Sequence, residues 1–161
     1  MKKVVIYYSM SGNTEYVAKY ISKKIDVDLL RINSKKEFPK EGFKKFFWGG
    51  KSVVMKETPE LEKYKFNADE YDHIIFGTPV WASTFTPPIR TFIKENKDKL
   101  KDKKISVYVS CMGGGAEKAI KKLQKYLGVE KFNAELILID PLDNKTDEKD
   151  EMIDNFCKKI R

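Results

Sequence analysis

Residues 4–20 read VVIYYSMSGNTEYVAKY, and this stretch decides the fold. Val4 to Tyr8 is an unbroken run of β-forming apolar residues, as expected of a strand covered on both faces. The run stops at Ser9-Met10-Ser11-Gly12-Asn13-Thr14, and apolar side chains then recur at Val17, Ala18, Ile21 and Ile25 with helical spacing. A strand, a tight polar loop and a helix start follow one another within a few residues. That order favours an anion, because first-turn backbone N–H groups and the positive end of the helix dipole point into the loop.

The same rhythm continues along the chain. Val27–Ile32 reads as a second strand, and Ile74–Gly77 as a third, followed by Thr78-Pro79. A helix carrying Ile89, Phe92 and Ile93 begins after Pro87-Pro88, where proline suits a first turn. Ile105–Val109 is a fourth strand, and Ala116–Leu127 a helix ended by Gly128. Leu136–Ile139 is a fifth strand, and Met152, Ile153, Phe156, Cys157 and Ile160 mark a last amphipathic helix. This alternation predicts an α/β fold: a three-layer, doubly wound sheet of five parallel strands in the order 2-1-3-4-5. With no repeats and no low-complexity linker, residues 1–161 are expected to form one domain.

One connection is too long. Between strands two and three lies the extended segment 33–69, where about a dozen helical residues would suffice. Phe43, Phe46, Phe47 and Trp48 would form one bulky apolar face, and Gly49-Gly50 a bend before Val53-Val54-Met55. The segment reads as a kinked helix packed on the sheet, or as a flap or partner surface near the site.

Composition excludes several classes. The net charge of +8 comes from 32 basic and 24 acidic residues spread along the chain. Lys118, Lys121, Lys122 and Lys125 share the outer positions of one helix, a solvated face or a docking face for acidic partners. No basic run interleaves with stacking aromatics, which speaks against nucleic acid. No stretch approaches the ~20 apolar residues of a membrane span. The opening MKKVVIYYS is too short for a secretory h-region of about 7–15 residues, so a cytoplasmic protein is expected. Two separated cysteines and one histidine, His73, offer no metal spacing. His73 itself is expected at the surface, at the start of strand three.

In open parallel sheets, ligands sit beyond the carboxyl ends of the strands, at the point where the strand order reverses. Three loops of unusual composition follow strands one, three and four: Ser9–Thr14, Thr78–Pro88 and Ser110–Gly115. The first has neutral donors and no lysine or arginine. It matches neither G-x-x-x-x-G-K-[ST] nor G-x-G-x-x-G, so a terminal phosphate monoester fits it best. The second, TPVWASTFTPP, carries Trp81 and Phe85 in a proline-stiffened turn, where an indole either covers a flat ring or lies buried under segment 33–69. The third, SCMGGGAEKA, lets backbone amides approach a planar ring edge. Cys111 lacks the arginine six positions on that a phosphatase loop needs, since Glu117 stands there, and it reads as a packing residue.

Taken in order, the three loops resemble those of the flavodoxin family. That family's phosphate loop reads roughly T/S-x-T/S-G-x-T, here Ser9-Met10-Ser11-Gly12-Asn13-Thr14; Thr78-Pro79-Val80-Trp81 resembles its second loop and Ser110–Gly115 its third. The resemblance runs from Lys3 to about Phe156. It implies non-covalent FMN, with the phosphate on Ser9, Met10, Ser11, Gly12, Asn13 and Thr14. By the same resemblance Thr78, Pro79, Val80, Trp81 and Ala82 flank one side of the isoalloxazine, and Ser110, Cys111, Met112, Gly113, Gly114 and Gly115 the other. No catalytic residue and no metal are implied.

The chain departs from the family pattern in three ways. It is basic where flavodoxins are acidic, residues 110–115 hold no aromatic, and Ala82-Ser83 stand where many members carry glycine. The resemblance implies low-potential electron transfer between redox partner proteins. The departures keep open an FMN-dependent NAD(P)H:quinone-type oxidoreductase, whose partners would be NAD(P)H and a small electron acceptor. A flavin-free phosphate-binding domain is a third reading.

Overall fold

Five parallel strands build the sheet in the computed structural model, which describes residues 1–38 and 56–161. They are β1 (Lys3–Tyr7), β2 (Asp28–Arg31), β3 (His73–Pro79), β4 (Lys104–Cys111) and β5 (Glu135–Ile139), in the order β2-β1-β3-β4-β5. The helices are α1 (Asn13–Lys24), α2 (Pro87–Asn96), α3 (Ala116–Leu127) and α4 (Asp147–Ile160). The doubly wound α/β fold expected from the alternation is therefore present. The expectations for Phe43, Phe46, Phe47, Trp48, Gly49-Gly50 and Val53–Met55 fall on 39–55, outside the described residues.

The strands bury both faces, as their apolar runs require. In β1, Val4 and Ile6 join the layer formed with α2 and α3, while Val5 and Tyr7 join the layer formed with α1 and α4. This period of two splits the core into two slabs, one on each side of the sheet. β2 is an edge strand with mostly exposed residues, and β3 is buried throughout. Local chemistry fixes the helix ends. Pro87 and Pro88 open α2, and Gly128 ends α3 with a left-handed φ of 76°. Thr146 caps α4, its hydroxyl oxygen accepting from the Lys149 N–H at 3.2 Å.

Two sequence expectations change here. β3 and β4 run past the predicted ends, so Thr78, Pro79, Ser110 and Cys111 are strand residues rather than loop; the pairing Pro79↔Ser110 extends the ladder. His73 is not at the surface. It begins the central strand at 1 % exposure, and its Nε2 lies 2.8 Å from the Ser106 hydroxyl. Burial, reinforced by Lys104 and Lys3, pushes its pKa down to about 4, which keeps the ring neutral.

Gly77 is required by close approach. Its neighbour across the ladder, Tyr108, lays its ring where a Gly77 side chain would be, 2.2 Å from the position of a Cβ. The Tyr108 hydroxyl passes through the layer and donates to the Thr14 carbonyl at 3.0 Å. The centre of the sheet thus holds the first turn of α1 by a buried hydrogen bond.

Candidate functional site

β1, β3 and β4 are adjacent, so their carboxyl ends bring the three predicted loops together where the strand order reverses. The first loop, residues 8–12, leads into α1 through Gly12, whose φ of 96° is left-handed. A side chain there would be strained, and its Cβ would come within 3.1 Å of Leu142 Cδ2. The first helical hydrogen bond runs from Tyr16 N–H to the Gly12 carbonyl. The N–H groups of Asn13 and Thr14 therefore have no acceptor within their own helix.

Several side chains of this loop are bonded within the protein. Ser9 is buried and its Oγ accepts from the Glu15 N–H at 3.2 Å. Thr14 Oγ1 and Ser110 Oγ share a buried hydrogen bond of 2.8 Å, which ties the first loop to β4. Asn13 reaches in three directions. Its Oδ1 accepts from Leu142 N–H at 2.8 Å, while its Nδ2 donates to Asp140 Oδ1 at 3.4 Å and Ser11 Oγ at 3.3 Å. Ser11 is exposed and Met10 half-buried. In these bonds the Ser9 and Ser11 oxygens accept, so their hydroxyl hydrogens, like the backbone N–H groups of Asn13 and Thr14, remain able to donate.

The second loop begins with a hairpin. Trp81 and Thr84 exchange two backbone hydrogen bonds of 3.0 Å, and the residues between them, Ala82 and Ser83, have φ of 47° and 57°. This is a type I′ turn built without glycine or asparagine, at a cost of about 1–2 kcal/mol per residue. Below it, Thr78 Oγ1 accepts from the Thr86 N–H at 3.2 Å, closing the base of the loop. Val80 N–H donates to the Ser110 carbonyl at 2.9 Å. Trp81 has no exposed surface: its ring meets Tyr8 and Phe38 edge-on, at centroid distances of 5.7 Å and 5.3 Å. The structure thus takes the second of the two sequence readings for this indole, a buried one, with Phe38 from segment 33–69 against it.

In the third loop Met112 is 60 % exposed, and Gly113 and Gly114 are exposed with nothing within 4 Å of an added Cβ. Gly115, with φ of 91°, is different, because its Cβ would meet Ser83 Oγ at 2.5 Å. The second and third loops therefore interlock at Ser83 and Gly115. Cys111 is buried and its thiol donates to the Gly113 carbonyl at 3.2 Å; burial pushes its pKa up, so it is a neutral packing group.

Two contributors escape the sequence reading. The connection after β5 forms a fourth wall, with Asp140 at φ 44° and its N–H bonded to the Cys111 carbonyl at 2.9 Å. Arg31, at the end of β2, donates from Nη2 to the Ser9 carbonyl at 3.1 Å and pairs through Nη1 with Glu15 at 3.0 Å. The first loop thus has an arginine beside it although none lies in its sequence. The strand order carried the signal, because in a 2-1 pair the end of strand two lies beside the end of strand one.

Comparison with known proteins decides the family. A family model described as flavodoxin matches residues 2–153. The chain belongs to the flavodoxin family. Among solved structures, a Bacteroides uniformis protein is 22 % identical over 98 % of this chain and 97 % of its own, with a TM-score of 0.77. A Lactobacillus acidophilus flavoprotein, solved in complex with FMN, is 20 % identical over 88 % of this chain and 96 % of its own, with a TM-score of 0.72. Two-electron reduced Megasphaera elsdenii flavodoxin is 19 % identical over 98 % and 99 %, with a TM-score of 0.61. At these identities the likeness speaks for the fold, and family membership rests on the match over 2–153. Among the described residues, no helix is long and apolar enough to cross a membrane.

Proposed function

We propose that this chain binds FMN at the carboxyl edge of β1, β3 and β4 and passes electrons between redox partner proteins. The convergence of the Ser9–Thr14, Thr78–Ala82 and Ser110–Gly115 stretches at the strand-order reversal carries this reading. The residues present fit the cofactor. A left-handed Gly12 before α1 offers backbone N–H groups to a phosphate, and the open surface over Gly113 and Gly114 admits a ring edge. Bound there, the flavin would supply the redox chemistry.

The protein's part is to bind and orient. Asn13 and Thr14 present their amides, while the Thr14–Ser110 bond holds the phosphate end in register with β4. The Ser83–Gly115 contact sets the spacing between the second and third loops. Cys111 is buried and burial pushes its thiol pKa up, which suits a neutral packing group beside the third loop.

Anaerobic mixing of the FMN-loaded protein with NADH or NADPH tests the assignment. A carrier leaves the flavin absorbance unchanged on the timescale of seconds, whereas rapid bleaching would make the protein an NAD(P)H-dependent oxidoreductase. A protein that arrives colourless and binds no added FMN would sink both.

A further inference from the structure

Among the described residues the guanidinium of Arg31 bonds to three groups, one in the first loop and one in the first turn of α1 that follows it. Nη2 donates to the Ser9 carbonyl at 3.1 Å, Nη1 pairs with Glu15 Oε2 at 3.0 Å, and Nε donates to Asn33 Oδ1 at 3.2 Å. Ser9 and Glu15 are already joined, because the Ser9 hydroxyl accepts from the Glu15 N–H. Arg31 closes a ring around that link from outside. Glu15 also pairs with Lys19 at 2.8 Å, one turn along α1.

Glu15 is the oddity. A carboxylate in the first turn suits the helix dipole, yet it adds a negative charge one residue beyond Asn13 and Thr14, whose amides would hold a phosphate dianion. Its neighbours hold it ionised, Lys19 first and Arg31 with it. Arg31 and Glu15 side chains are 42 % and 25 % exposed, and pairs this open add little to folding stability. The cluster is better explained by what it does to the loop's field than by what it does for the fold.

We propose that Arg31 is a positioning residue for phosphate: it fixes the Ser9 carbonyl away from the anion and cancels the Glu15 charge. This rests on the FMN reading above. In this assignment the three guanidinium nitrogens are engaged by Ser9, Glu15 and Asn33 rather than by the phosphate. Arg31 acts through the loop and through Glu15, and removing it would leave a carboxylate compensated by Lys19 alone in the helix turn that would hold a dianion.

Titrations of the full-length apoprotein with FMN and with riboflavin, which lacks the phosphate, test this. Arg31→Met is expected to weaken FMN binding about tenfold, the size of one partly exposed charge interaction, and to leave riboflavin binding within twofold. Arg31→Lys restores part of the loss, and Glu15→Gln in the Arg31→Met background restores most of it. Equal weakening of FMN and riboflavin would overturn the proposal, since that is what a merely structural role produces. So would an Arg31→Met variant that binds FMN like the wild type. If the wild-type protein does not prefer FMN over riboflavin, the phosphate assignment falls with it, an outcome the variants alone cannot produce.

Discussion

Replacing Gly77 by alanine tests how the sheet holds the site. The new Cβ would sit 2.2 Å from both Cζ and Oη of Tyr108 and 2.7 Å from Cε1. Ordinary carbon contacts lie near 3.5–4.0 Å, so the ring must move by more than 1 Å. Tyr108 has no room for this, being fully buried with its hydroxyl bonded to the Thr14 carbonyl. Overpacking costs about 1–3 kcal/mol, and loss of the buried hydrogen bond adds about 1 kcal/mol. Gly77→Ala is therefore expected to lose about 2–4 kcal/mol. In urea unfolding followed by circular dichroism, a slope of about 2 kcal/mol/M makes this a midpoint shift of about 1–2 M. Tyr108→Val costs about 3 kcal/mol alone by opening a cavity. In the double variant the two costs should fall short of their sum by at least about 1 kcal/mol, because the valine vacates the space the new methyl needs. A Gly77→Ala protein within about 0.5 kcal/mol of wild type, or costs that simply add, would refute the reasoning.

Other perturbations separate loop shape from loop chemistry. Gly114→Ala should leave the unfolding midpoint unchanged while weakening FMN binding in a fluorescence titration, whereas Gly115→Ala should also destabilise the apoprotein, through its φ of 91° and its contact with Ser83. Gly12→Val, at φ 96° and against Leu142, should weaken FMN binding at least tenfold by strain and by blocking the backbone; an unchanged dissociation constant would remove the phosphate from this loop. His73 makes stability fall on the acid side. Its folded pKa of about 4 lies below the unfolded value of about 6.5, so its contribution is intact above pH 6.5. As pH drops towards 4 the unfolded chain takes up a proton that the folded one refuses, at up to about 3 kcal/mol in all. His73→Gln should flatten that part of the stability profile, and parallel wild-type and variant profiles would dismiss the assignment.

Periodicity made the architecture legible because each element announces its own covering. Val4–Tyr8 could only be a strand covered on both sides, and Ala119, Ile120, Leu123 and Leu127 could only face a layer. Glycine and proline marked the helix ends for the same local reason. What stayed hidden depends on neighbours distant in sequence. His73 looked like a surface residue because nothing local says that a strand will be central; β3 lies between β1 and β4, and the His73 ring is buried with Nε2 against Ser106. Arg31 and Asp140 lie outside the three loops and join the site only through strand order and the turn after β5. The sequence names the hydroxyls of Ser9 and Thr14 but not their protein partners, because composition does not reveal which group a hydroxyl will meet; Ser9 Oγ accepts from the Glu15 N–H and Thr14 Oγ1 shares a hydrogen bond with Ser110.

The pairing of β1 with β3 has a consequence for how such chains diversify. Their register, Lys3↔His73 to Tyr7↔Gly77, joins the two central strands across roughly forty residues that follow β2. The entropy of closing a loop grows only with the logarithm of its length, so replacing a fifteen-residue crossover by one of forty costs about 0.9 kcal/mol. Insertions at this crossover are therefore nearly neutral to folding, while an insertion inside β3 or β4 would break the ladder. Drift can lengthen, shorten or exchange the far part of this one connection at little cost to folding, whereas its first residues are tied to the site, since Phe38 packs on Trp81. The crossover is where descendants of such a chain can acquire new specificities, because it begins at the cradle's own edge and tolerates length changes beyond it.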